Sequence, residues 1–196
     1  MKQVCVIHGG STYDSDADFL THLEQLELDY KRLLYRPRWN NWLAEILTDY
    51  DVLLPSLPNN ANAKYSEWSV YFSKIIPFLT EETVLVGHSL GGIFLAKYLN
   101  EHANSLHFKK VALIAAPFDD ETGESLGSFR LPQDMSHLAK TADGFHLYQS
   151  KDDVVVPVAE IEKYKSILPN ASMTLFEDRG HLNTPTFQEL VEFIKK

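Results

Sequence analysis

The sequence predicts an α/β fold, a three-layer α/β/α sandwich around a mainly parallel six-stranded sheet. Six short runs of consecutive apolar residues recur along the chain, and consecutive rather than alternating apolarity is typical of strands covered on both faces. Longer segments with helical spacing lie between the runs, for example the one that holds Phe94, Leu95, Tyr98 and Leu99. Strands that alternate with helices predict crossover connections and a parallel sheet between two helical layers.

The predicted strands, in chain order, are residues 4–7, 52–54, 83–86, 111–115, 145–148 and 173–176. One segment breaks the alternation, because residues 11–38 add about one helical hairpin between the first strand and a helix that starts near Trp39. This inserted segment is apolar on one side, so we expect either a lid over the site or packing on the sheet edge. A second irregular stretch, residues 118–132, follows the fourth strand. Both stretches follow strand ends, where ligands of such sheets bind.

The length and composition of the chain restrict its number of domains and its partners. Its 196 residues predict one domain over residues 1–196, and 44% hydrophobic with 23% charged residues is typical of globular proteins. The formal net charge is −9 and no Lys or Arg cluster interrupts the acidity, which disfavours nucleic acid and anionic membrane surfaces as partners. The oligomeric state stays open.

A single cysteine, Cys5, lies in an apolar run, so we expect neither an intramolecular disulfide nor a multi-cysteine metal site. This favours a reducing, cytoplasmic setting. The apolar stretch at the N-terminus is too short for a signal peptide or a membrane span.

Directly after the third predicted strand stands a G-x-S-x-G motif, residues 87–91, with Ser89 at its centre and an amphipathic segment behind it. In this motif the serine occupies a strained turn between strand and helix, and the glycines avoid clashes there. The following helix directs its free N–H groups at the same point. Ser89 is therefore the expected nucleophile.

A serine hydroxyl needs a base, which follows in the chain order Ser, Asp or Glu, His. Of eight histidines, His181 is the expected base because it follows Gly180 directly after the last strand, on a loop that can reach Ser89. His8 and His88 come too early in the chain and are interpreted as packing or hydrogen-bonding residues.

The acid has four candidates. An acid after the fifth strand reaches a histidine after the neighbouring sixth strand more easily than Asp119 or Asp120 after the fourth. Of the adjacent Asp152 and Asp153, we favour Asp153, four residues before Pro157, a spacing that resembles the D-x-x-hydrophobic-Pro pattern of α/β hydrolases. Asp152 is then a turn former or a solvated neighbour.

An oxyanion hole requires two backbone N–H groups, one from the residue after the nucleophile and one from the loop after the first strand. We expect these to be Leu90 and, by its position after the first strand, Gly10. No Walker A, G-x-G-x-x-G or H-E-x-x-H pattern is present, so we expect no cofactor and no metal. Trp39, Trp42 and Trp68 either line an acyl pocket or pack in the core, and helical spacing favours packing for the first two.

The chain resembles α/β hydrolases and, within them, the small retinoblastoma-binding-protein-9-type serine hydrolases. The resemblance covers nearly the whole chain except residues 11–38 and rests on Ile7-His8-Gly9-Gly10, Pro55-Ser56-Leu57-Pro58, Trp68, Gly87-His88-Ser89, Ser150-Lys151-Asp152-Asp153 with Pro157, and Gly180-His181. It implies a triad of Ser89, Asp153 and His181 in a compact hydrolase with no large cap domain and no cofactor.

We therefore expect Ser89 to attack a small ester, thioester or activated amide, while His181, oriented by Asp153, acts as general base. The expected partner is a small-molecule acyl substrate. Two alternatives stay open: a noncatalytic binding protein that keeps the same fold, and a peptidase or acyltransferase with the same triad.

Overall fold

A six-stranded parallel sheet forms the centre of the computed structural model, which describes residues 2–121 and 124–196. Within these residues the strands are β1 (Gln3–Ile7), β2 (Asp51–Leu53), β3 (Val84–His88), β4 (Phe108–Ile114), β5 (Ala142–Ser150) and β6 (Ser172–Phe176). Their order is β2-β1-β3-β4-β5-β6, and every neighbouring pair is parallel. The predicted six-stranded sandwich is confirmed, and each predicted apolar run overlaps one strand.

Helices cover both faces of this sheet, and two more lie in the inserted segment after β1. In chain order the helices of the described residues are α1 (Asp16–Gln25), α2 (Tyr30–Leu33), α3 (Trp39–Ile46), α4 (Tyr65–Ile75), α5 (Leu90–Glu101), α6 (Ala159–Ile167) and α7 (Gln188–Lys195). Helices α4, α5 and α6 pack on one face, and α3 and α7 on the other. Within the described residues the connection from β4 to β5 holds two 3₁₀ turns, Gly127–Phe129 and Leu138–Lys140, and no α-helix. This agrees with the irregular stretch expected over residues 118–132, of which residues 122 and 123 lie outside the described residues.

Strand β1 shows why the central runs are continuously apolar. Cys5 and Ile7 face the cluster under α4 and α5, whereas Val4 and Val6 face the cluster under α3 and α7. All four are buried, because successive side chains of a strand point to opposite faces of a sheet covered on both sides. Burial also raises the pKa of Cys5 to about 12, so its thiol stays protonated.

The inserted segment, residues 11–38, stands away from the sheet. Helix α1 contains no buried residue, and Leu20 and Leu28 are 58% and 72% exposed. Asp16 ties the start of the helix to Asn62 and Lys64. The segment therefore does not pack on the sheet edge, and its action as a lid stays a prediction. No helix among the described residues is long and apolar enough to cross a membrane.

Candidate active site

Ser89 lies at the junction of β3 and α5 with φ 53° and ψ −124°. A non-glycine residue in such a conformation costs about 1–3 kcal/mol, so the surrounding structure must enforce it. The Ser89 N–H donates to the carbonyl oxygen of Ile114 at 2.8 Å, which fixes the turn to the end of β4. A Cβ at Gly91 would collide with the carbonyl oxygens of Ile7 and His8. The second glycine of the motif thus lets the turn approach the end of β1.

His181 and Asp153 meet where β5 and β6 end side by side. The His181 Nδ1–H donates to Asp153 Oδ2 over 2.8 Å, with Asp153 wholly buried and His181 15% exposed at the side chain. This bond assigns the proton to Nδ1 and leaves Nε2 as an acceptor. His181 and Ser89 line one cleft. No hydrogen bond joins their side chains in the described part of the chain, and in free enzymes such catalytic bonds are often long until substrate binds.

The Asp153 carboxylate is held from several sides. Its Oδ1 accepts the N–H groups of Val155 at 2.9 Å and Val156 at 3.0 Å, while Oδ2 faces His181. Burial alone raises the pKa of Asp153, but the hydrogen bond from His181 and the two N–H groups outweigh it, so the net pKa lies below its usual value. The group is therefore ionised and oriented toward the imidazole.

Asp152 forms hydrogen bonds that hold the loop carrying His181 and not the imidazole ring of His181. Its Oδ1 accepts a hydrogen bond from Ser150 Oγ at 2.6 Å and another from the Gly180 N–H at 2.8 Å. Ser150 Oγ in turn accepts the Arg179 N–H at 2.8 Å. The other two acids considered from the sequence lie elsewhere, since Asp119 pairs with Lys163 and Asp120 with Arg130. Of the four, the structure brings only Asp153 to His181.

His88 braces the same loop from the strand side. This buried residue donates from Nε2 to the carbonyl oxygen of His181 at 2.9 Å. Trp39 adds two bonds, from Nε1 to the Leu182 carbonyl oxygen at 3.0 Å and from its N–H to that of Thr184 at 2.9 Å. The sequence indicated a packing or hydrogen-bonding role for His88 and packing for Trp39, but their shared partner could not be predicted, because neither residue belongs to a spacing pattern with the loop.

The residues of the expected oxyanion donors, Gly10 and Leu90, line a small space together with Ser89. The N–H groups of Gly10 and Leu90 have no acceptor among the described residues, whereas the adjacent Ser11 N–H donates to Asn60. His8 positions the loop that contains Gly9 and Gly10. Its Nε2 accepts the Leu57 N–H at 2.8 Å, and its Nδ1–H donates to the Gly9 carbonyl oxygen at 2.6 Å.

Two spaces meet at Ser89. The larger, here called the cleft, has a volume of about 530 Å³ and holds His181, Arg38, Trp39 and Asn183 in its wall. The smaller, here called the side pocket, has a volume of about 40 Å³ and is lined by residues including Leu90, Pro117, Val156 and Pro157. Gly10, Ser11, Ser89, Glu124 and Val155 border both.

Of the three tryptophans, only Trp39 borders the cleft, and it is also buried. Trp68 packs in the core and donates to Pro58. No group of three or more His, Cys, Asp or Glu side chains within residues 2–121 and 124–196 is arranged to hold a metal ion.

A family model described as serine hydrolase matches residues 36–190. The serine hydrolase RBBP9 of Rattus norvegicus is 24% identical over 160 residues, which cover 80% of this chain and 84% of that protein. The crystal structure of the ydeN gene product from B. subtilis matches with a TM-score of 0.79 at 20% identity, over 100% of this chain and 97% of that one. The meta-cleavage product hydrolase from Pseudomonas fluorescens IP01 matches with a TM-score of 0.68 at 12% identity, over 100% and 88%. Both solved structures share the fold of this chain.

Proposed function

This chain belongs to the serine hydrolase family, and from that premise we propose that it is a carboxylesterase-like enzyme that cleaves small esters, thioesters or activated amides. One observation carries the proposal: Asp153 holds the Nδ1 side of His181 at 2.8 Å, and His181 lines the cleft that also contains the strained Ser89. A buried carboxylate, an oriented imidazole and a hydroxyl at a strand-to-helix turn are the parts of an acyl-transfer site.

In the proposed reaction Ser89 Oγ attacks the carbonyl carbon of the substrate, and its proton passes to His181 Nε2. The tetrahedral intermediate then breaks its bond to the leaving group, which takes that proton from His181. Water next attacks the acyl-enzyme and gives a proton to His181, which returns it to Ser89 as the carboxylic acid departs. Asp153 keeps His181 in the tautomer that accepts at Nε2 and stabilises the imidazolium.

The N–H groups of Gly10 and Leu90 are the proposed donors to the oxyanion. Both residues border the space beside Ser89, and neither N–H is used by another described acceptor. Each such donor contributes about 3 kcal/mol to the transition state in comparable sites.

The side pocket supports a short acyl group. At roughly 10–15 Å³ of such space for each water-sized group, about 40 Å³ accommodates about three non-hydrogen atoms. Because Leu90, the proposed oxyanion donor, lines the side pocket and His181 does not, the acyl chain points into this pocket and the leaving group into the cleft.

Labelling with a fluorophosphonate tests the proposal, because Ser89 Oγ would displace fluoride from phosphorus and gain a stable adduct. Intact-mass spectrometry should show one adduct on the wild-type protein and none on Ser89→Ala. Hydrolysis of 4-nitrophenyl acetate should fall by about 10⁴-fold or more in Ser89→Ala and in His181→Ala. Ser73→Ala is the matched control, since Ser73 is an exposed serine on α4. A folded wild-type protein with neither adduct nor turnover would favour the binding-protein alternative.

Acyl length is a separate measurement. We expect kcat/KM for 4-nitrophenyl acetate to exceed that for the octanoate by at least about tenfold, because overfilling a packed pocket costs about 1–3 kcal/mol. A preference for octanoate would contradict the short acyl group and leave the triad proposal intact.

A further inference from the structure

The wall of the cleft carries an arginine, Arg38, that the proposed mechanism does not use. It directly precedes α3, and its Nη1 donates to Asn183 Oδ1 at 3.0 Å. Asn183 lies two residues after His181 in the chain, so Arg38 is attached to the loop that carries the proposed base. Arg38, Asn183 and His181 all line the cleft.

Arg38 makes no ion pair with any carboxylate of the described residues. Two other arginines of the chain are neutralised, Arg130 by Asp120 at 2.6 Å and Arg179 by Glu189 at 2.7 Å. A guanidinium presents five N–H donors in a planar fork that matches a carboxylate, and the bond to Asn183 uses one of them. The remaining donors, which have no hydrogen-bond acceptor among residues 2–121 and 124–196, are available to a ligand in the cleft.

The positive charge of Arg38 affects His88, the residue before Ser89. Burial lowers the pKa of His88 most strongly, and the neighbouring His181 and then Arg38 lower it further. His88 immediately precedes Ser89 in the chain. Arg38, His88 and Ser89 all line the cleft.

The two spaces around Ser89 show which half of a substrate would meet Arg38. His181 must protonate the leaving group, so this half lies in the cleft with His181. Arg38 lines the cleft and not the side pocket. We propose that Arg38, held by Asn183, binds a carboxylate on the leaving-group half of the ester, so that the preferred substrates are short-chain acyl esters of carboxylate-bearing alcohols or phenols. This inference rests on the proposed hydrolase function.

Glu124 is the opposing charge. It lines both the cleft and the side pocket, whereas Arg38 lines the cleft alone, so Glu124 stands nearer to the acyl half of the substrate. Arg38 remains the cation that meets the leaving group, and removal of the Glu124 charge should strengthen the preference for an anionic substrate.

The test uses three acetate esters with the same acyl group, namely 3-acetoxybenzoate, 4-acetoxybenzoate and the neutral 4-acetoxybenzamide. The readout is the ratio of kcat/KM for each anionic ester to that for the amide, which cancels differences in active enzyme concentration. Arg38→Gln should lower this ratio by about twofold to fivefold, as expected for a charge pair in an open cleft. Arg38→Lys should keep part of the preference, and 0.5 M NaCl should weaken it in the wild type.

Arg36→Gln is the matched control. Arg36 belongs to the same segment, donates to the Lys31 carbonyl oxygen and does not line the cleft. Its ratio should equal that of the wild type, and Glu124→Gln should raise the ratio. A ratio unchanged in Arg38→Gln for both anionic isomers, or changed equally in Arg36→Gln, would overturn the inference. If the wild type cleaves the acetate ester of 4-acetoxybenzamide through Ser89 as well as it cleaves the two anionic esters, only the proposed role of Arg38 is wrong. Absence of hydrolysis for all three esters, with 4-nitrophenyl acetate still cleaved, would overturn this inference alone. If 4-nitrophenyl acetate is not cleaved and Ser89 gains no fluorophosphonate adduct, the proposed function is wrong as well.

Discussion

His88 Nε2 donates to the carbonyl oxygen of His181 over 2.9 Å, although 93 positions separate the two residues. Their rings lie 5.0 Å apart between centroids. The residue that precedes the proposed nucleophile thus also holds the backbone of the proposed base. Because burial, with the neighbouring His181, lowers the pKa of His88 to about 4, the ring stays neutral near pH 7 while its Nε2–H donates to that carbonyl.

This lowered pKa predicts that the folded protein loses stability as the pH falls from about 6.5 towards 4. The unfolded chain protonates His88 near pH 6.5, whereas the folded chain does so only near pH 4, so the unfolded state binds more protons between these values. The free energy of unfolding should fall by up to about 1.4 kcal/mol per pH unit from this residue. Urea unfolding at pH 7.5, 6.0 and 5.0 measures it.

His88→Gln should show a shallower pH dependence than the wild type in this experiment. His146→Gln provides a second comparison, because burial also lowers the pKa of His146 to about 4. The same pKa shift gives the same difference in bound protons, so we expect a comparable change in slope from it. Identical slopes for the wild type and His88→Gln would contradict the prediction.

The two adjacent aspartates should differ sharply in hydrolysis. Asp153→Asn replaces the acceptor of the His181 Nδ1–H by an amide and favours the wrong tautomer, so kcat/KM should fall by about 10³–10⁴-fold. Asp152→Asn keeps an oxygen that accepts the Gly180 N–H, so the loss should stay below about tenfold. Steady-state hydrolysis of 4-nitrophenyl acetate measures both. A larger loss from Asp152→Asn would reverse the assignment.

Substitution of Ser89 by glycine should relieve backbone strain and raise stability, although it removes the proposed nucleophile. Glycine adopts a positive φ without steric cost, so Ser89→Gly should be about 1 kcal/mol more stable than Ser89→Ala, although both lack the hydroxyl. Urea unfolding measures the difference. Position 73, inside α4, should show the opposite order, with Ser73→Gly about 1 kcal/mol less stable than Ser73→Ala. A Ser89→Gly variant less stable than Ser89→Ala would show that the turn is unstrained.

The inserted segment should be the first site of proteolysis. Tyr30 and Tyr35 are 74% and 83% exposed and follow a helix with no buried residue, so limited chymotrypsin digestion should cut after them first. Ser11 and Arg38, at the two ends of the segment, both line the cleft. If the segment closes over the cleft, a bulky phosphonate adduct on Ser89 should slow these cuts severalfold. Equal cutting rates with and without the adduct would contradict a lid.

Much of the fold could be predicted because its signals are local. A strand buried on both faces is apolar at every position, as Val4, Val6 and Ile7 are, whatever its neighbours in the sheet. The motif around Ser89 likewise encodes one sharp turn. The irregular stretch after β4 is expected because it has no helical or strand period, but the two 3₁₀ turns that bury Phe129 and Leu138 have no local signal and could not be predicted.

By itself the sequence determined the class of fold, the strand that presents Ser89 and the loop that carries His181, because burial and turn formation depend on neighbouring residues in the chain. The spacing of Asp153 from Pro157 also favoured this carboxylate over Asp152, and the structure brings it to the ring. Only the tertiary structure decided the order of the strands. It also brought Arg38 to Asn183 across 145 positions and His88 to His181 across 93. Such contacts depend on how distant elements pack and on the direction of single side chains, and no local pattern of residues carries that information.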